Sequence, residues 1–416
     1  MHGINTEPAM IMHIDLNSAF ATTEQQAHPT LRGKPMGVTN RLSKECVVIA
    51  ASYEAKALGI KVGTRRSDAL ALCPDFVFLE SDPPKYHQVY EKLIAIMKDY
   101  SPKIKMKSID EGVIDFHGLE PVLKGRSLED IGYEIKQRVK DDIGDWMRIN
   151  IGIGTNHFLA KQAAGWHKPD GLDRIDCTNL TAYYQRMKLT DLTGIAERNE
   201  ARLNSYGIMT PLDFLEADEY MLQKRVFQSI TGLYWYKRLR GYEIDDYDTK
   251  LGMVGRQWVV HQPSSTNDYL LPCLSFLCET TGMKLRYRQA EARGICVWAR
   301  YQSGEQWQSK RMLKTTFYTN QDIYRYALEQ FNRRPGGTIT MIGLYCYRLT
   351  PSTRSQMSLF EDSLKKDWLT KAVDEINDYY GGFTVYSATT LNGRKIVKQK
   401  VPFGGTEYFE LLLKRA

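Results

Sequence analysis

Two apolar runs in this chain are broken by acid. MIMHIDL, 10–16, carries Asp15, and SIDEGVID, 108–115, carries the adjacent pair Asp110 and Glu111. Runs this apolar belong inside a sheet, and a sheet interior does not tolerate a bare carboxylate. The acids therefore require strand ends that meet at a site supplied with cations. With no His or Cys taken as a neighbour of these acids, the expected donor set is oxygen-only, which suits Mg²⁺ or Mn²⁺ and argues against zinc. Three carboxylates suit phosphoryl transfer over two such ions. Taken singly, each signal is weak: an Asp-Glu pair is more often a solvated turn, and Asp15 alone is a possible helix cap.

The surrounding pattern supplies the sheet. Strands are expected at 10–16, 36–39, 46–51 and 149–155, with a strand or hairpin over MKSIDEGVIDF. Helices are expected after Asn17 or Ser18 to about Ala27, over YEAKALGI, over RSDALALCP, at 84–100, at 127–142 and over HFLAKQAAGWH. This mixture predicts an α+β or α/β domain up to about residue 175. Gly-punctuated short helices follow to 243, then a charged, turn-rich stretch, GYEIDDYDTKLG. From 255 the order is β-α-β-β-α-β, a compact unit on its own. One more helix is expected at 362–379. A chain of 416 residues exceeds one ordinary core, so several domains are expected.

Composition excludes some classes. With 43% hydrophobic and 25% charged residues the chain reads as soluble and globular. It has no run of about 18 apolar residues, hence no expected membrane span, and MHGINTEPAM does not read as a secretory signal. The seven cysteines form no CxxC pair, which points to reduced thiols and a cytoplasmic setting. Net charge is +7, and Arg and Lys interleave with Tyr and Trp in 284–293, 300–314 and 325–348. That mixture suits phosphate contact and base stacking. GIGTN, 152–156, precedes a helix bearing Lys161, a weak phosphate-binding signal that is not a Walker loop.

The order of the motifs says more than any one of them. HIDLNSAFATTE, HPTLRGKPMGV, AASYEAKALGIKVG, SIDEGVID and GIGTNHFLAKQAAGWHKPDG together resemble the catalytic core of the Y-family DNA polymerases, the translesion enzymes, of the bacterial polymerase IV or V type. The resemblance runs over roughly residues 10–350. It implies an α+β multidomain right hand: palm and fingers over 1–177 (fingers about 30–82), a helical thumb over 178–243, a linker at 244–252, a little finger over 253–350 and a tail at 351–416.

The resemblance also implies roles. Asp15, Asp110, Glu111 and the Leu16 carbonyl would bind two Mg²⁺ ions, or Mn²⁺, with the three acids as the catalytic residues. Asn17, Ser18, Ala19 and Phe20 would offer amides to phosphate, and Tyr53, Lys56 and Lys161 would hold the triphosphate. Phe20 would be the steric gate against a 2′-hydroxyl. Lys56 stands where many relatives carry Arg, Ala50 where Thr is frequent, Asn17 where Asp is frequent, and Ala196 where the thumb hairpin usually has Gly. Beyond the core, Gln356, Ser358, Leu359 and Phe360 lie in SQMSLFED, which is similar to the peptide by which bacterial polymerases bind the sliding clamp. The implied partners are primer-template DNA, dNTP and that clamp, near the nucleoid and without a membrane. A non-catalytic DNA- and clamp-binding accessory protein is the alternative, and it should lack the acids. A nucleotide cyclase built on a similar palm is a third.

Overall fold

The computed structural model describes residues 3–123, 125–246, 252–352 and 363–397. Strands are β1 Ile11–Leu16, β2 Met36–Thr39, β3 Val48–Ala51, β4 Val77–Glu80, β5 Ile104–Met106, β6 Glu111–Asp115, β7 Ile149–Gly154, β8 Leu172–Ile175, β9 Met253–Ser264, β10 Ala290–Tyr301, β11 Gln306–Phe317 and β12 Ile339–Pro351. Helices are α1 Ala19–Ala27, α2 Tyr53–Ala57, α3 Arg66–Leu72, α4 Pro83–Lys98, α5 Glu120–Leu123, α6 Leu128–Arg138, α7 His157–Ala164, α8 Leu180–Gln185, α9 Glu197–Asn204, α10 Pro211–Glu216, α11 Ile230–Leu239, α12 Asn267–Tyr287, α13 Asn320–Phe331, α14 Ser363–Tyr380 and α15 Leu391–Ile396. The described chain forms two compact units, divided after Asp248.

In the first unit a five-stranded sheet runs β5-β6-β1-β7-β8. β1 is central and pairs antiparallel with both β6 and β7. Ile11, Met12, Ile14 and Leu16 are all buried, as a two-faced central strand requires. α7 crosses β7 so closely that only glycine fits beneath it. A Cβ on Gly152 would lie 2.0 Å from the Ala160 carbonyl oxygen and 2.1 Å from the Ala164 amide nitrogen. A smaller sheet, β3-β2-β4, carries α2 and α3. The helices from α8 to α11 bury Tyr184, Leu203, Phe214, Trp235 and Leu239 against Phe158 and Leu159 of α7.

The second unit has a four-stranded sheet, β11-β10-β12-β9, with α12 and α13 on one face. Ile295, Val297 and Ala299 of β10 point into that core with Leu274, Leu277 and Ile323. The registers Cys296↔Lys310, Trp298↔Gln308 and Arg300↔Gln306 put Lys310 and Arg300 on the opposite face. Tyr345 and Tyr347 join them there, and both Lys310 and Arg300 are exposed. Basic and aromatic side chains that the sequence merely interleaves thus share one open face.

Of the two forms expected for MKSIDEGVIDF, the segment takes the hairpin, β5 to β6. Other expectations needed correction. The helix expected over 127–142 stops at Arg138 and widens into a π-turn, Val139–Ile143. β4 and β8, each four residues long, were not anticipated. Ser18 precedes α1 as foreseen, but in a left-handed conformation (φ 49°) without a side-chain cap. Its hydroxyl has another use, given below.

The second unit is larger than the β-α-β-β-α-β core. Phe383 stacks on Phe276 of α12 with centroids 5.0 Å apart, and a Cβ on Gly393 would meet the Pro272 carbonyl at 2.2 Å. Phe383, Gly393 and Val397 are therefore built into the core of this unit.

Candidate active site

The acids gather because of strand register. Asp15 pairs directly with Glu111 across β1 and β6, so both side chains leave the same face at the strand ends. His13 precedes Asp15 by two residues and shares that face. Ligand atoms of His13, Asp15 and Glu111 lie within 4.8 Å of one another. Asp110 adjoins them at the hairpin. Its carbonyl accepts from the Leu16 amide at 2.8 Å, and its carboxylate accepts from the Ser108 hydroxyl at 2.5 Å. Asp110 thus stands beside the three-residue group rather than within it.

The expectation of a site without histidine is wrong. His13 is 2% exposed, and its Nε2 lies 3.3 Å from Glu111 Oε2. The signal was the two-residue spacing in HID, which puts both side chains on one strand face. Burial lowers the His13 pKa, against the contact with Glu111, which raises it.

Two lysines supply positive charge. Lys161, on α7, donates to Glu111 Oε2 at 2.7 Å, and Lys168 donates to Asp15 Oδ2 at 2.8 Å. Lys168 was not foreseen as part of the site. It sits on a turn latched by Asn17, just past β1, and by Asn150 of β7: the Asp170 amide donates to Asn17 Oδ1 at 2.8 Å, and Asn150 Nδ2 donates to the His167 carbonyl at 3.0 Å. The contacts with His13 and Lys161 hold the Glu111 carboxyl down to about 2. Asp110 moves the other way, raised by burial and by repulsion from Asp15 and Glu111. A crowded acid group with one member pushed toward protonation gains from a cation, and its carboxylates are the donors that hard divalent ions take. The residues fit a divalent metal site.

The proposed nucleotide contacts lie around the same acids. Lys56 Nζ donates to Ser18 Oγ at 2.6 Å and lies 4.5 Å from the centroid of the Tyr53 ring. Burial and the charge of Lys168 depress the Lys56 pKa, whereas Asp15 opposes that shift. The Tyr53 hydroxyl is pushed up to about 12, by burial first and then by Asp15. Phe20 stacks on Tyr86 of α4 at 4.3 Å, with ring planes 17° apart. Tyr86 donates to the buried Glu24 carboxylate at 2.8 Å, and Lys85 donates to the same group at 2.7 Å, so α1 and α4 hold that ring pair together. One expected contact is lost. The Asn17 amide donates to the Arg148 carbonyl at 2.9 Å and is not free to cradle phosphate. Gln356, Ser358, Leu359 and Phe360 lie outside the described residues.

Comparison with known proteins bears on the family and the fold. Residues 14–165 match the impB/mucB/samB family, and residues 254–359 match the impB/mucB/samB family C-terminal domain. The DNA polymerase IV of Pelotomaculum thermopropionicum is 28% identical over 399 residues, 94% of this chain and 97% of the relative. That of Staphylococcus aureus strain JH9 is 28% identical over 360 residues, covering 84% and 98%. Among solved structures, a Y-family DNA polymerase chimera of Dbh and Dpo4 superposes with a TM-score of 0.69 at 21% identity, over 81% of this chain and 98% of the other. DinB from Sulfolobus solfataricus superposes at 0.53 and 22% identity, with the same coverage. Both matched regions bear the same family description, the full-length relatives carry the polymerase name, and the fold is that of the solved enzymes: the chain belongs to the Y-family DNA polymerases.

Proposed function

We propose that the chain extends a DNA primer on a template, transferring a deoxynucleotide from dNTP to the primer 3′-hydroxyl with release of pyrophosphate, and that it does so across damaged template. The observation that carries the reading is the register pair Asp15–Glu111, with Asp110 adjacent and Lys161 on Glu111. An accessory protein without catalysis would have no use for this acid group. Primer extension on damaged and undamaged templates tests the reading. Synthesis should require template, dNTP and a divalent ion, and stop on chelation; no extension under any of these conditions would refute it.

Asp15, Asp110, Glu111 and the Leu16 carbonyl would hold two Mg²⁺ ions, with Mn²⁺ as a substitute. Bound there, the ions neutralise phosphate charge and acidify the primer hydroxyl. The chain's own groups do the rest. Lys161 and Lys56 offset triphosphate charge, and Tyr53 and Ser18 direct donors toward its oxygens. Phe20, braced on Tyr86, would fill the space that a 2′-hydroxyl needs. Phe20→Ala is expected to raise ribonucleotide incorporation at least tenfold in competition assays; unchanged sugar selection would remove Phe20 from this role.

Duplex DNA would be held by its phosphates, with Lys310 and Arg300 on the open sheet face of the second unit, and therefore independently of sequence. A bacterial sliding clamp would take residues 356–360, with Leu359 and Phe360 in an apolar pocket. Replacing both by Ala should abolish clamp stimulation and leave clamp-free synthesis intact. Stimulation that survives would place the clamp contact elsewhere.

A further inference from the structure

Arg148 stands on the catalytic face with no acid beside it. Asp15 and Asn150 are register partners, as are Leu16 and Ile149. The Asn17 amide donates to the Arg148 carbonyl at 2.9 Å, which carries the same register one step past the strands. Residues opposite one another, and residues two apart, leave a strand pair on one face. Arg148 therefore shares the face of Asp15 and Asn17. It is half-buried, yet among the described residues its guanidinium makes no ion pair and no hydrogen bond. Lys161 and Lys168, by contrast, are bonded to Glu111 and Asp15.

What holds the side chain is an indole. The Arg148 guanidinium lies 5.2 Å from the centroid of the Trp146 ring. That ring is pinned: the Trp146 amide donates to Gln26 Oε1 at 2.7 Å, and its Nε1 donates to Gln25 Oε1 at 3.2 Å. Gln25 in turn donates to Glu54 Oε2 at 3.2 Å. Glu54 lies on α2 with Tyr53 and Lys56, so one glutamine ties the indole to the helix that carries both. Arg32 also lies near the ring, at 5.3 Å, but it is committed to Asp145 by bonds of 2.9 and 2.8 Å. The charge of Arg148 is felt at the Tyr53 hydroxyl, where it opposes the upward push of burial and of Asp15.

We propose that Arg148 binds the triphosphate of the incoming nucleotide. The inference rests on the primer-extension reading above and adds a residue to it. A half-buried cation without an anion is costly, and a ligand's phosphate charge offsets that cost. The cations already assigned to the triphosphate are lysines, point charges whose ammonium groups have a bond each: Lys56 to Ser18 and Lys161 to Glu111. A guanidinium instead offers a planar fork that takes two phosphate oxygens at once. Stacked on a fixed indole, it has less freedom to lose when phosphate arrives. The location favours the triphosphate over the DNA backbone, because Arg148 is tied through Trp146 and Gln25 to the helix of Tyr53 and Lys56.

Primer extension at graded dNTP concentrations, with a separate titration of primer-template DNA, tests this. Arg148→Met keeps a stem against Trp146 and removes the charge. Its KM for dNTP should rise about tenfold or more, while kcat changes less than about threefold and the Kd for DNA stays within about twofold. Arg148→Lys keeps the charge, loses the fork, and should fall between. An unfolded fraction lowers kcat and leaves KM where it was, so the split separates binding from stability. Equal KM in the parent chain and both variants overturns the inference. So does a raised Kd for DNA at unchanged KM, which would make Arg148 a contact of the DNA backbone. No extension by any chain, the parent included, would instead refute the reading on which the inference rests.

Discussion

Asp15→Ala, and separately Glu111→Gln, are each expected to reduce primer extension about 10³-fold or more, equivalent to about 4 kcal/mol of barrier. Glu111→Gln is the sharper variant because it preserves shape and removes only charge. The Glu111 carboxyl is held down to about 2 through His13 and Lys161. Asp15 and Glu111 are register partners, so losing either leaves the site one donor short while the sheet persists. Both sit at strand ends and contribute little to the core, and far-ultraviolet circular dichroism and DNA binding should be unchanged. Intact synthesis in both variants would refute the proposed site. Loss of synthesis together with loss of fold would make the residues structural.

Gly152→Ala is expected to destabilise the first unit by at least about 4 kcal/mol, because the new methyl would lie 2.0 Å from the Ala160 carbonyl oxygen. The neighbour is helix backbone, so no rotamer relieves the clash. Thermal unfolding of that unit should shift down by about 10 °C. Activity should fall with it, because α7 carries Lys161 to Glu111 at 2.7 Å. Gly336→Ala is the control: a Cβ there meets nothing within 4 Å, and its midpoint should stay within about 1 °C. A stable Gly152→Ala protein would mean that α7 does not press on β7 as described.

These two predictions differ in how legible their residues are in the sequence. Asp15, Asp110 and Glu111 are visible because acid interrupts an apolar period, a violation that sequence alone reveals. The pairing of Asp15 with Glu111 is not visible, since register over 96 positions depends on the whole sheet. Lys168 stayed hidden for the same reason: it reaches Asp15 across 153 positions through a turn held by Asn17 and Asn150. His13 was in plain view but was read as part of an apolar strand.

The glycines tell a similar story. GIGTN suggested a phosphate loop, but Gly152 and Gly154 serve the crossing of α7 over β7. Short strands such as VFLE of β4 carry too few residues to display a period, and no element was expected there. For α14 the helix is legible at 362–379, but the outward facing of Trp368, Leu369 and Tyr379 is not. That depends on Arg286, 88 positions from Asp374.

The most direct test of the central claim is anomalous scattering from Mn²⁺ in crystals of the enzyme with primer-template DNA and a non-hydrolysable nucleotide. The account predicts two peaks, each within about 2.2 Å of carboxylate oxygens drawn from Asp15, Asp110 and Glu111. A site without Mn²⁺, or a single ion held through His13 with Asp110 left on Ser108, would contradict it.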